Sequence, residues 1–409
     1  MKEGWKSSKL YEIGIVQTGT TPPSKIKEYY GNYIPFIKPP HFNADGSIIY
    51  GNEGLSEKGL SKGRLIKENS VLMVCIGATI GKTGISDKPI SCNQQINTFT
   101  PNKNHEPKFF YYLLSSSMFF KEVMKLSSQA TLPMINKTKW QNIEVNYPPF
   151  PEQKQIVTIL DQAFESIAQA KANIEKNIEN AKELFQSKLN DIFSQKCDGW
   201  EEISLSEVCQ IQPPKTEARK ELGKDEMVSF VPMKEMGINE MYFKSVQYKE
   251  LQEVSNSYTY FKNNDVLLAK ITPCFENGKL GIAQGLINNI GFGSSEYIVY
   301  RPSGNLLPEF LYHFLNQQTF RKNGARVMTG AVGHKRIPKE FYEGYKIKIP
   351  SLAEQKDILS KMNVLSANSE KIKDSYFKKL ILLEDLKKSI LQKTFAGELT
   401  GKELAIEVE

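Results

Sequence analysis

One stretch of this chain occurs twice, 202 residues apart, and restricts the possible folds more than any other feature. Residues 151–196 open Pro151-Glu152-Gln153-Lys154 and then run to Lys196 without a glycine or an internal proline. The opening returns as Glu354-Gln355-Lys356, and residues 188–193 are answered by residues 390–395. In the first copy apolar residues recur at Ile156, Leu160, Ala163, Ile167, Ala170, Ile174, Ile178, Ala181, Phe185 and Ile192. Steps of mostly four and three give the 3.5-residue period of a coiled-coil seam. In the second copy the seam reads Ile358, Met362, Leu365, Ile372, Tyr376, Leu383, Leu386 and Ile390, with Ser369 where an apolar residue is due. Each stretch predicts one long helix with a single narrow apolar stripe. Such a helix is not stable alone in water. Pairing the two stripes antiparallel within the chain is the economical solution; packing each helix back on its own block is the alternative. About 42 helical residues at 1.5 Å rise would make a rod of roughly 60 Å, a spacer of fixed length.

The repeat extends through the rest of the chain at offsets of 191 to 202. Trp5 is matched by Trp200, Leu10 by Leu205, and Pro22-Pro23 by Pro213-Pro214. The run Ile66-Lys67-Glu68-Asn69-Ser70-Val71-Leu72 is matched by Phe261-Lys262-Asn263-Asn264-Asp265-Val266-Leu267. Gly81-Lys82-Thr83-Gly84-Ile85 is matched by Gly278-Lys279-Leu280-Gly281-Ile282. Lys108-Phe109-Phe110-Tyr111-Tyr112 is matched by Glu309-Phe310-Leu311-Tyr312-His313. The chain therefore divides into a block (1–150), a helix (151–196), a block (197–350), a helix (351–400) and a tail (401–409). Val71–Ile76, Ile96–Phe99, Val266–Ala269 and Tyr297–Tyr300 read as strands. Residues 109–124 and 309–323 read as amphipathic helices. Residues 143–147 and 345–349 read as strands that enter the long helices across a proline. The expected fold class is α+β, with two similar strand-rich blocks.

Composition narrows the function. At 40% hydrophobic and 24% charged residues the chain is of ordinary globular type. Its longest apolar run, near residues 71–76, is far too short to span a bilayer, so no membrane association is expected. The first residues carry no apolar signal-peptide core. Five scattered cysteines never spaced C-x-x-C predict neither a disulfide framework nor a zinc site, and four histidines show no metal-ligand spacing. A reducing cytoplasm is the expected compartment. The net charge of +7 lies in the first block, with 18 Lys+Arg against 11 Asp+Glu in residues 1–150, which suits a polyanionic partner.

No motif carries catalysis. Gly77-Ala78-Thr79-Ile80-Gly81-Lys82-Thr83 lacks one residue of the phosphate-loop spacing, and its repeat has Leu280 where a hydroxyl would bind magnesium. Asn146-Tyr147-Pro148-Pro149-Phe150 resembles the proline-proline-aromatic motif of DNA amino-methyltransferases, but Tyr147 cannot hold an amino group as that motif requires. Polar side chains set among turns stand out instead. Candidate DNA-contacting residues are Lys38, Lys82, Gln94, Gln95 and Lys137 in the first block. In the second they are Lys270, Thr272, Lys279, Ser294, Arg326, Lys335 and Arg336. Gln can pair with adenine, and Arg or Lys with guanine, in the major groove of double-stranded DNA.

With block, helix, block and helix in order, the chain resembles the specificity subunit of type I restriction–modification systems over essentially its whole length. The most specific marks are the Pro-x-x-Glu-Gln-like helix starts, Pro148 to Gln153 and Pro350 to Gln355. The closing run Lys388-Ser389-Ile390-Leu391-Gln392-Lys393-Thr394-Phe395-Ala396-Gly397-Glu398-Leu399 is equally telling. The resemblance implies two target-recognition domains, each reading one half of a split, asymmetric DNA site, with the paired helices fixing the unread gap. It implies no catalysis and no cofactor in this chain. S-adenosylmethionine, ATP and magnesium would belong to partners: two methyltransferase subunits and the motor-nuclease subunits. Two other readings are a coiled-coil scaffold without nucleic-acid function and the specificity region of a fused methyltransferase-nuclease.

Overall fold

The computed structural model describes residues 3–43, 45–51, 54–128, 132–194, 200–245, 247–331 and 333–398; the expected tail, residues 401–409, lies outside them. The chain forms two units, Met1–Glu175 with Phe377–Glu409, and Lys176–Tyr376. Each contains one globular block and portions of both long helices.

In the first unit the order is β1 (Lys6–Lys9), α1 (Leu10–Ile13), β2 (Gly14–Thr18), β3 (Tyr30–Ile37), β4 (Gly54–Leu55), α2 (Glu57–Leu60), β5 (Val71–Val74), β6 (Thr83–Ile85), β7 (Ser91–Cys92) and β8 (Ile96–Pro101). Then come α3 (Pro107–Leu114), α4 (Ser117–Leu126), α5 (Lys137–Gln141), β9 (Glu144–Tyr147) and α6 (Phe150–Ser194). The main sheet has the order β2-β8-β5-β6, all antiparallel. A smaller sheet has the order β4-β3-β7, with β3 and β7 parallel. The first strand pairs with the last, Lys6 opposite Tyr147, so the block closes on itself just before α6 begins. Strand β5 is buried at all four residues, Val-Leu-Met-Val, as a central strand covered on both faces must be.

The second unit repeats this plan. Its elements are β10 (Glu201–Ser204), α7 (Leu205–Val208), β11 (Cys209–Ile211), α8 (Thr216–Glu221), β12 (Met227–Val231), β13 (Tyr242–Phe243), β14 (Gln247–Glu250), α9 (Leu251–Val254), β15 (Thr259–Lys262), β16 (Val266–Ala269), β17 (Leu280–Ala283), β18 (Ile290–Gly293) and β19 (Tyr297–Pro302). They are followed by α10 (Pro308–Leu315), α11 (Gln318–Val327), α12 (Lys339–Gly344), β20 (Lys346–Ile349) and α13 (Leu352–Ala396). The main sheet, β11-β19-β16-β17-β13, is that of the first unit with one strand added. The smaller sheet, β14-β12-β18-β15, again has a parallel central pair. Strands β10 and β20 close this block as β1 and β9 close the other.

The aromatic stretches expected as single helices are each two. The first breaks at Ser115-Ser116, because the Ser116 hydroxyl accepts from the Phe119 amide 3.2 Å away and starts a new helix. The second breaks at Asn316-Gln317.

The long helices α6 and α13 have 45 residues each. They pair, and in each unit both pack on the block. In the first unit Ile156, Leu160 and Ala163 share one core with Ile390, Leu391 and Phe395, with Phe395 edge-on to Phe109. The Lys387 ammonium lies 5.1 Å from the Phe164 ring centre, and Lys171 meets Glu384 at 3.1 Å, so the two segments run antiparallel. In the second unit Leu189 and Phe193 share a core with Leu359 and Met362. Each such side chain contributes about 1.5–3 kcal/mol by leaving water. On α6 the expected seam positions Ile156, Leu160, Ala163, Ile167, Ile174, Ile178, Phe185 and Ile192 are all buried or half-buried, and Leu189 joins them. On α13 Ile358, Met362, Leu365, Tyr376, Leu383 and Ile390 are likewise covered, but the expected Ile372 is 46% exposed and Leu386 43%. The covered track there passes through Ser369, Lys373 and Leu380, then Lys387. Long lysine stems cover apolar surface while their ammonium groups reach water, so a hydrophobicity pattern misplaces the stripe by one residue.

Gln153 and Gln355 fix the helix starts. Both side chains are fully buried, and they share two equivalent bonds. Gln153 Oε1 accepts from the Glu106 amide at 2.9 Å, and its Nε2 donates to the Pro148 carbonyl at 2.9 Å. Gln355 Oε1 accepts from the Leu307 amide at 2.9 Å, and its Nε2 donates to the carbonyls of Asn305 at 2.8 Å and Pro350 at 3.0 Å. Glu106 and Leu307 are the cap residues immediately before α3 and α10. The helix-start glutamine is thus a buried tie between each block and the helix that follows it.

Candidate nucleic-acid interface

At one end of each main sheet the central strand meets two loops, and most of the sequence-predicted contact residues lie at these junctions. In the first unit β5 leads to Cys75, whose amide donates to the Gln95 carbonyl at 2.8 Å and whose carbonyl accepts from the Ile135 amide at 3.0 Å. Gly77, at φ +92°, donates to the Pro133 carbonyl at 3.0 Å. Open space surrounds the place where its side chain would be. In the second unit Lys270 donates to the Glu296 carbonyl at 2.9 Å and accepts from Ile337 at 3.0 Å, and Thr272 donates to the Lys335 carbonyl at 2.9 Å. The two junctions are the same backbone arrangement.

The turn before β8 and its counterpart before β19 carry the residues of interest. Asn93 Oδ1 accepts from the Gln95 amide at 3.2 Å, and the Asn93 carbonyl accepts from Ile96 at 3.2 Å. Ser294 Oγ accepts from the Glu296 amide at 3.2 Å, and its carbonyl accepts from Tyr297 at 3.1 Å. Short polar side chains that bond two residues ahead build such turns. Gln94 is exposed at the tip, where its side-chain oxygen accepts from the Thr21 hydroxyl. Gln95 Oε1 accepts from Asn93 Nδ2 at 2.8 Å. Lys38 follows Ile37, whose carbonyl accepts from the Asn93 amide, so it leaves the chain beside this turn. Lys137 is exposed at the start of α5, two residues after Ile135.

The second junction presents charge. Thr329 and Arg336 exchange both backbone hydrogen bonds, at 3.0 and 2.8 Å, making a short hairpin whose described tip residues are exposed. The Lys335 amide donates to Thr272 Oγ1 at 3.0 Å, leaving the exposed lysine side chain pointing from the hairpin. The Arg336 guanidinium grips Glu296 with two parallel bonds of 2.9 and 2.8 Å. That pairing holds the Glu296 carboxyl below the usual carboxylate range. Arg326 is exposed on the last turn of α11, three residues before Thr329.

Lys82 and Lys279 are placed alike but are braces. Their Nζ atoms donate to backbone carbonyls, Lys82 to Phe42 at 3.3 Å and Lys279 to Met233 at 2.7 Å. Each ties the turn after the central strand to the loop leaving the smaller sheet. Gly81 and Gly278 precede them at φ +88° and +76°. Side-chain groups of Phe120 and Arg321 fill the space a Cβ would need there, which requires glycine.

The chemistry on offer is recognition. Exposed Gln, Lys and Arg side chains on rigid backbone can read base edges or hold phosphates. Among the described residues no group of three or more His, Cys, Asp and Glu is placed to hold a metal ion. Burial pushes the thiols of Cys75, Cys92 and Cys209 up to about 12, too high for a nucleophile. No described helix is long and apolar enough to cross a membrane.

Comparison with known proteins agrees with the twofold plan. The model of the type I restriction modification DNA specificity domain matches twice, over residues 2–180 and 197–397. The specificity subunit of the type I restriction enzyme EcoAI of Escherichia coli is 33% identical over 196 residues, 47% of this chain and 32% of that protein. The chain thus spans about a third of the length of that relative. The EcoKI specificity subunit of Escherichia coli strain K12 is 21% identical over 98% of this chain and 90% of its own. In fold, the chain matches one from a solved structure on complex assembly and conformational transition of the type I R-M system. That match has a TM-score of 0.72 at 18% identity and covers 98% of this chain and 99% of the other. By its two matched domains, the chain belongs to the type I restriction modification DNA specificity family.

Proposed function

We propose that this chain is the DNA sequence-specificity subunit of a type I restriction–modification complex, without catalysis of its own. Each block is a target-recognition domain that reads one half of a bipartite, asymmetric site in double-stranded DNA. Gln94, Gln95, Lys38 and Lys137 serve one half-site. Lys270, Thr272, Ser294, Arg326, Lys335 and Arg336 serve the other. The α6–α13 pair sets the unread gap and docks two methyltransferase subunits, with motor-nuclease subunits joining them. S-adenosylmethionine, ATP and magnesium act on those partners, and the complex works in the cytoplasm. The observation that carries this reading is the repeated junction: one backbone frame, used twice, bearing different side chains. That is what two readers of unlike half-sites require, and the relatives named as specificity subunits support it.

The test is co-purification with the cognate methyltransferase subunit, followed by methylome sequencing of cells that carry both. The expected result is a stable complex and a split motif methylated on both strands. A complex that forms without any such motif, or no complex at all, would overturn the proposal.

A further inference from the structure

The second unit holds a cavity of about 320 Å³, lined among others by His313 and Asn316 of α10, Arg321 of α11, Gln186 of α6 and the Glu370–Lys373 pair of α13. Its polar lining is unusually short of partners. His313 is 4% exposed and Asn316 5%. Neither ring nitrogen of His313, nor Asn316 Oδ1, nor Gln186 Oε1 has a hydrogen-bond partner among the described residues. Buried polar atoms left this way cost free energy unless something fills the site. Arg321 is half-buried, and no carboxylate pairs with it among the described residues. The one acidic lining group, Glu370, is bound to Lys373 at 2.6 Å, so it does not compensate Arg321.

The same place in the first unit holds a cavity of about 280 Å³, lined among others by Tyr112 and Ser115, but there the polar groups have partners. Tyr112 stands where His313 does, and its hydroxyl donates to Asp161 of α6, which also receives the Lys108 ammonium at 2.7 Å. Ser115 stands where Asn316 does, and its hydroxyl donates to the Tyr111 carbonyl at 2.7 Å. Phe120 replaces Arg321 over the equivalent glycine. One unit has paired these polar groups within the protein; the other leaves them without partners among the described residues, on side chains that line its cavity.

We propose that this cavity binds a small oxyanion that also carries hydroxyl groups, a phosphorylated metabolite of nucleoside-monophosphate size. Arg321 supplies a planar, always-charged donor fork for the phosphate. Hydroxyls supply the donors that Asn316 Oδ1 and Gln186 Oε1 lack. Neutral imidazole offers one donor and one acceptor, which suits a ligand bearing both. The volume lies near the roughly 300 Å³ lower end of small-molecule pockets, several times larger than inorganic phosphate needs. The site uses none of the residues proposed to read DNA and does not depend on that assignment.

The test is calorimetric titration of the full chain with adenosine monophosphate, inorganic phosphate and adenosine. Saturable binding of the monophosphate is expected, with adenosine at least about tenfold weaker because it lacks the charge that meets Arg321. The first unit supplies the control variant. His313→Tyr with Asn316→Ser and Arg321→Phe should weaken the monophosphate by at least about tenfold. Arg321→Gln alone, which keeps a polar side chain of similar length, should do the same if the triple variant does not fold. Equal binding of phosphate and monophosphate would keep the oxyanion and overturn the nucleoside-sized ligand. No saturable heat up to about 10 mM, adenosine bound as well as the monophosphate, or unchanged affinity in a folded Arg321→Gln variant would overturn the site.

Discussion

Asn93, Gln94 and Gln95 in one unit and Ser294, Ser295 and Glu296 in the other occupy the same turn, take part in the same backbone hydrogen bonds, and present different chemistry. The first offers neutral amides. The second offers a carboxylate locked to Arg336, with Lys335 beside it. The frame is held by main-chain groups from the central strand and from the loop before α5 or α12, so the displayed side chains can change without disturbing it. The braces Lys82 and Lys279 show the converse: each side chain bonds to a main-chain carbonyl, and here the residue type is the same in both units.

The largest effect expected from breaking this comparison is on the parts that are alike. Gln153→Leu and Gln355→Leu each leave a buried amide and at least one buried carbonyl unpaired. Each should cost about 2–4 kcal/mol by denaturant unfolding. Because the ties are equivalent, the two losses should agree within about 1 kcal/mol; a large inequality would mean that the blocks hold their helices differently.

Next comes a difference confined to the second unit. Burial pushes the His313 pKa down to about 4 from 6.5. The unfolded chain therefore binds a proton that the folded chain refuses between these values. Stability from this group is complete above pH 6.5 and falls as the pH drops toward 4. Relative to His313→Tyr, the wild type should lose on the order of 2–3 kcal/mol over that interval. Parallel pH–stability curves for the two proteins would show that His313 is not buried neutral.

Smaller still are the effects on reading. Lys335→Ala with Arg336→Ala should weaken binding to duplexes carrying only the second half-site by about tenfold or more, and leave the first half-site unchanged. Gln94→Ala with Gln95→Ala should do the reverse. Equal losses at both half-sites would contradict two independent readers. At the bottom of the scale is the exposed Lys171–Glu384 pair between the long helices. Lys171→Ala should change stability by less than about 0.5 kcal/mol.

Much of the fold was legible in the sequence because it rests on periodicity. The 3.5-residue spacing gave both long helices, and the offset of about 200 residues gave the twofold plan. The short apolar runs at Val71 and Val266 gave the central strands. What escaped depends on single polar atoms. Gln153 and Gln355 mark the helix starts in the sequence, but nothing in their spacing shows that the side chains are buried ties. The break at Ser116 lies within three consecutive serines, between two apolar stretches that read as one helix. Ile372 was placed on the seam because a lysine stem, here Lys373, does not register as apolar. For the candidate site, the sequence indicated the turns. It could not indicate that Lys82 and Lys279 are spent on carbonyls or that Arg336 is held by Glu296, because those facts depend on loops that meet only in the fold.

The glutamine ties have a consequence for behaviour in salt. Amide and carbonyl carry no net charge, so mobile ions do not screen their bonds as they screen phosphate contacts. Raising ionic strength should therefore strip such a protein from a polyanion while each block stays fixed to its helix. Release and rebinding would then proceed without refolding, with the geometry between block and helix unchanged from one encounter to the next.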